Sequence, residues 1–353
     1  MNKQYLQEKI TNKMLENLYF SSKPGTIIAS PSTYPPYQYH WIRDAALSMR
    51  VFIDLYSKTR KDVYLIHIFN YIERESEIQK MNTLTGIGEP KVNIDNTPYN
   101  KPWGRPQNDG PALRCLNLIN IYKLLLDDYP VIMKQIVLPM IKIDINYISN
   151  NYNKTCFDLW EEIDGWHFYT RMVQLKCIKE YMIFENNQKN NNNIYLELLD
   201  NLKHHISENG IISSFDKKGN IVKFDDASIL LAYCHISFDS DIVKEIPIEF
   251  AIKNSINLIN YFQNKYKKNT YYMIGRYFDD KYFNGHVWIL CSLGLVQFLK
   301  NINMNDKKID NILNKILSID SNLNLSEQYD IDTQKQISAE KLTWNYSELY
   351  FSI

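Results

Sequence analysis

The chain has 353 residues, 45% hydrophobic and 23% charged, which is enough apolar material for a sizeable core. Forty Lys and Arg balance forty Asp and Glu, so no basic excess draws the protein to nucleic acid or anionic lipid, and a neutral partner is expected. No run of about 18 apolar residues occurs, which argues against a membrane span.

The first stretch, "MNKQYLQEKITNKMLENLYF", alternates charge with single apolar residues and lacks the continuous apolar segment of a secretory leader. Residues 1–25 read as a helical extension ahead of one domain at 26–353. Apolar residues spaced by three and four then predict helices over 3–19, 41–58, 62–80, 110–127, 131–149 and 165–185. The same spacing continues over 193–208, 226–237, 244–265, 286–301, 306–318 and 338–352. "NDGPAL" is a clear start signal, since Pro suits a first helical turn.

No alternating strand series stands out, and "ENNQKNNNN" at 185–193 reads as a surface loop. Long connectors at 81–109 and 266–285 are rich in Gly, Pro, Asn and aromatic residues. No Pro- or Gly-rich linker divides the chain, so the expectation is a single all-α domain with functional loops at one end. Periodicity alone leaves a closed ring of paired helices and an open solenoid level. Cys115, Cys156, Cys177, Cys234 and Cys291 sit in apolar stretches and read as reduced core thiols, which with the missing leader suggests a cytoplasmic protein.

Five aromatic and acidic segments fall at loop-to-helix junctions. They are "YQYHWIRDAAL" (37–47), "GIGEPKVN…PWGRPQNDGPALR" (86–114), "DLWEEIDGWHFYT" (158–170), "GRYFDDKYFNGHVW" (275–288) and "SEQYD…SAEKLTWNYSELY" (326–350). Taken singly each has a bland reading: acids at helix starts complement the dipole, and rings fill cores. Together they suit acetal hydrolysis, which needs one protonated and one ionised carboxyl on opposite faces of a sugar. Asp158 and Glu162 flank Glu161, and their negative charge would help it keep a proton. Glu327 and Asp330 are the candidates for the second carboxyl. Tyr, Phe and Trp, 26, 15 and 6 in number, supply ring faces on which sugars stack.

In this order the five segments resemble the fungal-type glucoamylases of glycoside hydrolase family 15, from about residue 30 to the end. The resemblance implies an (α/α)6 barrel and inverting hydrolysis that releases β-glucose from the non-reducing ends of α-1,4-glucans. It implies Glu161, first of "WEE", as general acid and Glu327 of "SEQYD" as general base. Arg43 and Asp44 correspond to the pair that binds hydroxyls of the innermost sugar, with Tyr37 and Trp41 as an aromatic floor. Arg276 and Glu162 correspond to substrate-binding groups, and Trp103 to an indole over the site. Asp158 corresponds to a carboxylate tuning the acid, Leu159 offers its backbone carbonyl, and Trp160 and Trp344 complete the substrate-binding set.

No cofactor or metal is implied, and the expected partner is an α-glucan or malto-oligosaccharide bound by a monomer. No starch-binding module is read in the chain, so soluble dextrin or glycogen is the expected substrate. Two positions depart from the family pattern: Asp164 replaces an asparagine and Val287 a proline. The alternatives are a trehalase-like inverting glucosidase and a non-catalytic glucan-binding barrel.

Overall fold

The computed structural model describes residues 3–186, 191–304 and 307–353. Residues 187–190 of the expected Asn-rich loop lie outside the described residues. Twelve helices build the frame: α1 (Lys3–Leu18), α2 (Ile42–Thr59), α3 (Asp62–Lys80), α4 (Asp109–Leu125), α5 (Leu138–Asn151) and α6 (Phe168–Phe184). They continue as α7 (Asn192–Lys203), α8 (Ser228–His235), α9 (Ile248–Lys265), α10 (Ile289–Asn301), α11 (Lys307–Ile319) and α12 (Thr343–Ser352). Shorter turns at Pro130–Ile132, Met133–Val137 and Ser240–Glu245 sit in the connectors.

The even-numbered helices pack side by side in sequence, and α12 returns to α2, so they close a ring. Each odd-numbered helix leans on an inner neighbour from outside. The architecture is an (α/α)6 barrel, and the contact between α12 and α2 is what excludes an open solenoid.

Residue chemistry explains which helices go inside. In α10 every residue from Ile289 to Leu299 is buried, as is all of α8, so these helices have no face for water. By contrast α11 buries only Ile309, Ile312 and Ile316, a single stripe at spacings of three and four. Helix α1 has the same logic: Leu6, Ile10, Met14 and Leu18 are buried in one row. It packs against α12, so the first and last helices form the sixth pair.

Helix starts fall two to five residues later than the periodicity predicts at 165, 226, 286 and 338. Asp164–His167 and Val287–Trp288 are instead short strands. The first pairs with Cys156–Phe157 and Ser214–Asp216, the second with Gln328–Asp330. Strands of two to four residues like these hold the loops at one end of the barrel. The five cysteines are free and buried. No helix among the described residues is long and apolar enough to cross a membrane.

Candidate active site

The loops preceding the inner helices converge on a cavity of about 290 Å³. It lies at the N-terminal end of the inner ring, where helix dipoles present their positive ends. From the first segment Tyr37, Trp41, Arg43 and Asp44 line it; from the second, Trp103. Leu159, Trp160, Glu161 and Glu162 come from the third, Arg276 from the fourth, and Glu327 and Trp344 from the fifth. Every candidate except Asp158 and Asp330 therefore borders one cavity; Asp330 instead accepts from the backbone N–H of Asp332 and from Thr333 in its own turn.

Glu161 sits in a tight turn with φ of 67°, a backbone region that costs a non-glycine residue energy unless its surroundings impose it. Asp158 imposes it. Its Oδ1 accepts the backbone N–H groups of Glu162 at 2.7 Å and Ile163 at 3.0 Å, and its own N–H donates to the Ile163 carbonyl at 3.0 Å. Gly104 lets the next loop approach, because a Cβ there would stand 2.9 Å from the Glu161 carbonyl oxygen. Three donors address a single oxygen of Glu161. Trp41 Nε1 stands 2.6 Å and Gln107 Nε2 2.9 Å from Oε1, with an Arg43 nitrogen at 3.8 Å. Oε2 has no hydrogen-bond partner among the described residues.

The expected role of the flanking acids needs correction. Lys223 lies 3.0 Å from Asp158 and 2.7 Å from Glu162, and Arg276 lies 2.8 Å from Glu162. Burial alone would push Asp158 up, but Lys223 and the backbone N–H groups hold it below the usual carboxylate range. These acids are paired charges rather than a bare negative field around Glu161. Asp158 lies outside the cavity lining and clasps the turn that carries Glu161.

Glu327 has a different setting. Burial pushes its carboxyl up to about 7, against the pull of hydrogen bonds from Ser338 and Tyr37 and the charge of Arg276. Tyr37 donates to Oε1 at 3.0 Å, and Ser338 donates to Oε2. The Tyr37 ring leans on Trp41 at 5.4 Å between centroids. Glu327 and Glu161 are therefore joined through two adjacent rings, Tyr37 and Trp41, each of which donates to one carboxylate.

The remaining polar groups face the space between. Arg43 is fixed by Gln107 at 2.8 Å and Asp109 at 3.1 Å, while its Nε has no hydrogen-bond partner among the described residues. Burial pushes Asp44 up to about 6 despite Arg43 beside it. Arg276 is held by Asp280 at 2.7 and 2.8 Å and by the faces of Trp160, Tyr282 and Trp288. Trp288 Nε1 is buried with no hydrogen-bond partner among the described residues. Trp160 gives its N–H to Asp226, and Trp344 gives its own to Glu348 at 2.8 Å, so these two rings offer only faces to the cavity.

The profile of glycosyl hydrolases family 15 matches residues 2–350. This chain belongs to that family. Glucoamylase-1 of Arthroderma benhamiae is 30% identical over 315 residues, covering 83% of this chain and 51% of its own length. A probable glucoamylase of Schizosaccharomyces pombe is 27% identical, covering 94% of this chain and 84% of its own. The glucoamylase structure of Saccharomycopsis fibuligera superposes with a TM-score of 0.88 at 23% identity, covering 99% of this chain and 94% of that one. That likeness establishes the fold. The chain spans about half the length of the first relatives it matches.

Within this family 15 site, sequence reasoning did not assign Gln107, Tyr282, Trp288 and Ser338. All four lie in or beside the motif segments, and only the packing of loops reveals which side chains turn inward. The two departures from the family pattern fall outside the cavity wall. Asp164 pairs with Lys217 at 2.5 Å, and Val287 is buried opposite Tyr329.

Proposed function

We propose that the chain is an inverting, exo-acting glucan 1,4-α-glucosidase that releases β-glucose from the non-reducing ends of soluble dextrin or glycogen. The observation that carries this reading is that Glu161 and Glu327, distant in sequence, open onto one cavity.

Glu161 gives a proton from its unpartnered Oε2 to the glycosidic oxygen as the bond from that oxygen to the anomeric carbon breaks. Glu327 in its ionised form, the major one only above about pH 7, takes a proton from a water that attacks the anomeric carbon from the opposite face, so configuration inverts. Arg43, Asp44 and the Leu159 carbonyl hold hydroxyls of the terminal sugar, Arg276 and Glu162 those nearer the leaving group, and Trp41, Trp103, Trp160 and Trp344 supply ring faces. A charged hydrogen bond to a hydroxyl contributes about 1.5–3 kcal/mol, which favours a sugar carrying every hydroxyl. The buried thiols suit a cytoplasmic location, and one relative, 34% identical over 202 residues, is an intracellular sporulation-specific glucoamylase of Saccharomyces cerevisiae.

The test is maltotriose hydrolysis followed by proton NMR. β-Glucose is expected first, with Glu161→Gln and Glu327→Gln each slower by about 10²–10⁴-fold, the range of a lost acid or base. Early α-glucose would exclude inversion, and full activity in either variant would remove that residue from its role.

A further inference from the structure

Lys91 is a buried cation that the scheme above does not use. It occupies the strand Lys91–Asn93, directly opposite Trp41 in the pairing with Tyr39–Trp41. The side chain is fully buried and its Nζ has no hydrogen-bond partner among the described residues. Four rings surround the nitrogen instead: Trp103 at 3.1 Å to its centroid, Trp41 and Tyr99 at 4.3 Å, and Tyr39 at 4.5 Å. The rings brace one another edge-on, Trp41 with Trp103 at 6.2 Å and Tyr99 with Trp103 at 6.0 Å.

An ammonium stripped of water and given no oxygen is costly to bury, and a methionine would fill such a box without that cost. Attraction to ring faces is what remains to hold the charge. Two of the rings belong to the site. Trp41 donates to Glu161, and Trp103 reaches the cavity from its loop while staying 37% exposed. A half-exposed indole on a loop needs an anchor, and the nearest charge to its face is Lys91.

We propose that Lys91 is a positioning residue: its ammonium, bound by ring faces alone, pins Trp103 over the cavity beside Glu161. This rests on the reading of the cavity as a glucan site. The device is sensitive to protonation. Burial pushes Lys91 down to about 7, with Glu161 and Glu89 pulling up and Arg105 pulling down. Once neutral, the amine loses its hold on the rings.

The test compares Lys91→Met with Lys91→Arg, since guanidinium stays charged at any working pH. At pH 5.5, Lys91→Met raises KM for maltotriose about tenfold, the scale of one lost cation–π contact, and Lys91→Arg recovers most of it. A second arm titrates maltotriose by calorimetry into Glu327→Gln protein between pH 5.5 and 8.5. Affinity falls about tenfold through pH 7 with lysine at 91 and less with arginine, because other cavity carboxyls are common to both backgrounds. Equal pH dependence in the two, or a wild-type KM in Lys91→Met, would overturn the role of Lys91. The calorimetric comparison decides even where Lys91→Met does not fold. No turnover or binding of maltotriose by the unmodified protein would instead overturn the reading of the cavity.

Discussion

Glu161 and Glu327 are the same side chain in two chemical settings. Oε1 of Glu161 is crowded by nitrogen donors, whereas Glu327 meets hydroxyls inside a dry pocket. The Glu327 setting has a measurable consequence for stability. Its carboxyl moves from an ordinary 4.5 to about 7 on folding, so between those values the native protein holds a proton that the unfolded chain has released. Stability from this group is fully present below 4.5, declines as pH rises, and is gone above 7. The difference of about 2.5 units corresponds to about 3 kcal/mol. Glu327→Gln cannot ionise, so its melting temperature relative to wild type is expected to climb between pH 4.5 and 7 and then level off. Parallel melting curves for the two proteins across that range would contradict the burial of this carboxyl.

At the scale of an element, the turn carrying Glu161 is not self-supporting. Its positive φ is held by the Asp158 carboxylate, which is held in turn by Lys223 on the strand Ile221–Lys223. That strand is the far edge of a four-stranded sheet including Cys156–Phe157 and Asp164–His167 on either side of the turn. Lys223 also meets Glu162, so one lysine orders two acids of the motif. Lys223→Met leaves Asp158 as a buried charge without its partner, and the loss is expected to be about 3–5 kcal/mol. Chemical denaturation measures it. A variant within about 0.5 kcal/mol of wild type, the size of an ordinary surface change, would mean that the turn stands without its clasp. The acids in "DLWEE" are legible in the sequence, but their partner lies 61 residues beyond Glu162, where nothing in the motif points to it.

The whole molecule is a ring, and a ring depends on its closure. Helix α12 must meet α2, and α1 covers the outer side of that joint. Residues 1–25 read from the sequence as an extension; the buried row Leu6, Ile10, Met14 and Leu18 against α12 supports the proposal that the domain begins with α1. Met14→Ala is expected to destabilise the single unfolding transition by about 2–5 kcal/mol, as core truncations do. An independent extension would leave the barrel's melting temperature unchanged. The same closure gathers six inner-helix N-termini at one end, which is why five segments scattered over some 300 residues face one small space.

What the sequence determines by itself is the helical frame and the chemical inventory. Apolar spacing predicts twelve helices, because helix geometry turns spacing into faces, while burial in the fold separates inner ones such as α10 from striped outer ones such as α11. The motif segments mark the acids, arginines and rings that border the cavity. Tertiary structure alone decides which charges are paired, which carboxyl is dry, and which cation has only rings for company. Those properties belong to neighbours brought together from distant residues, and local periodicity carries no information about them.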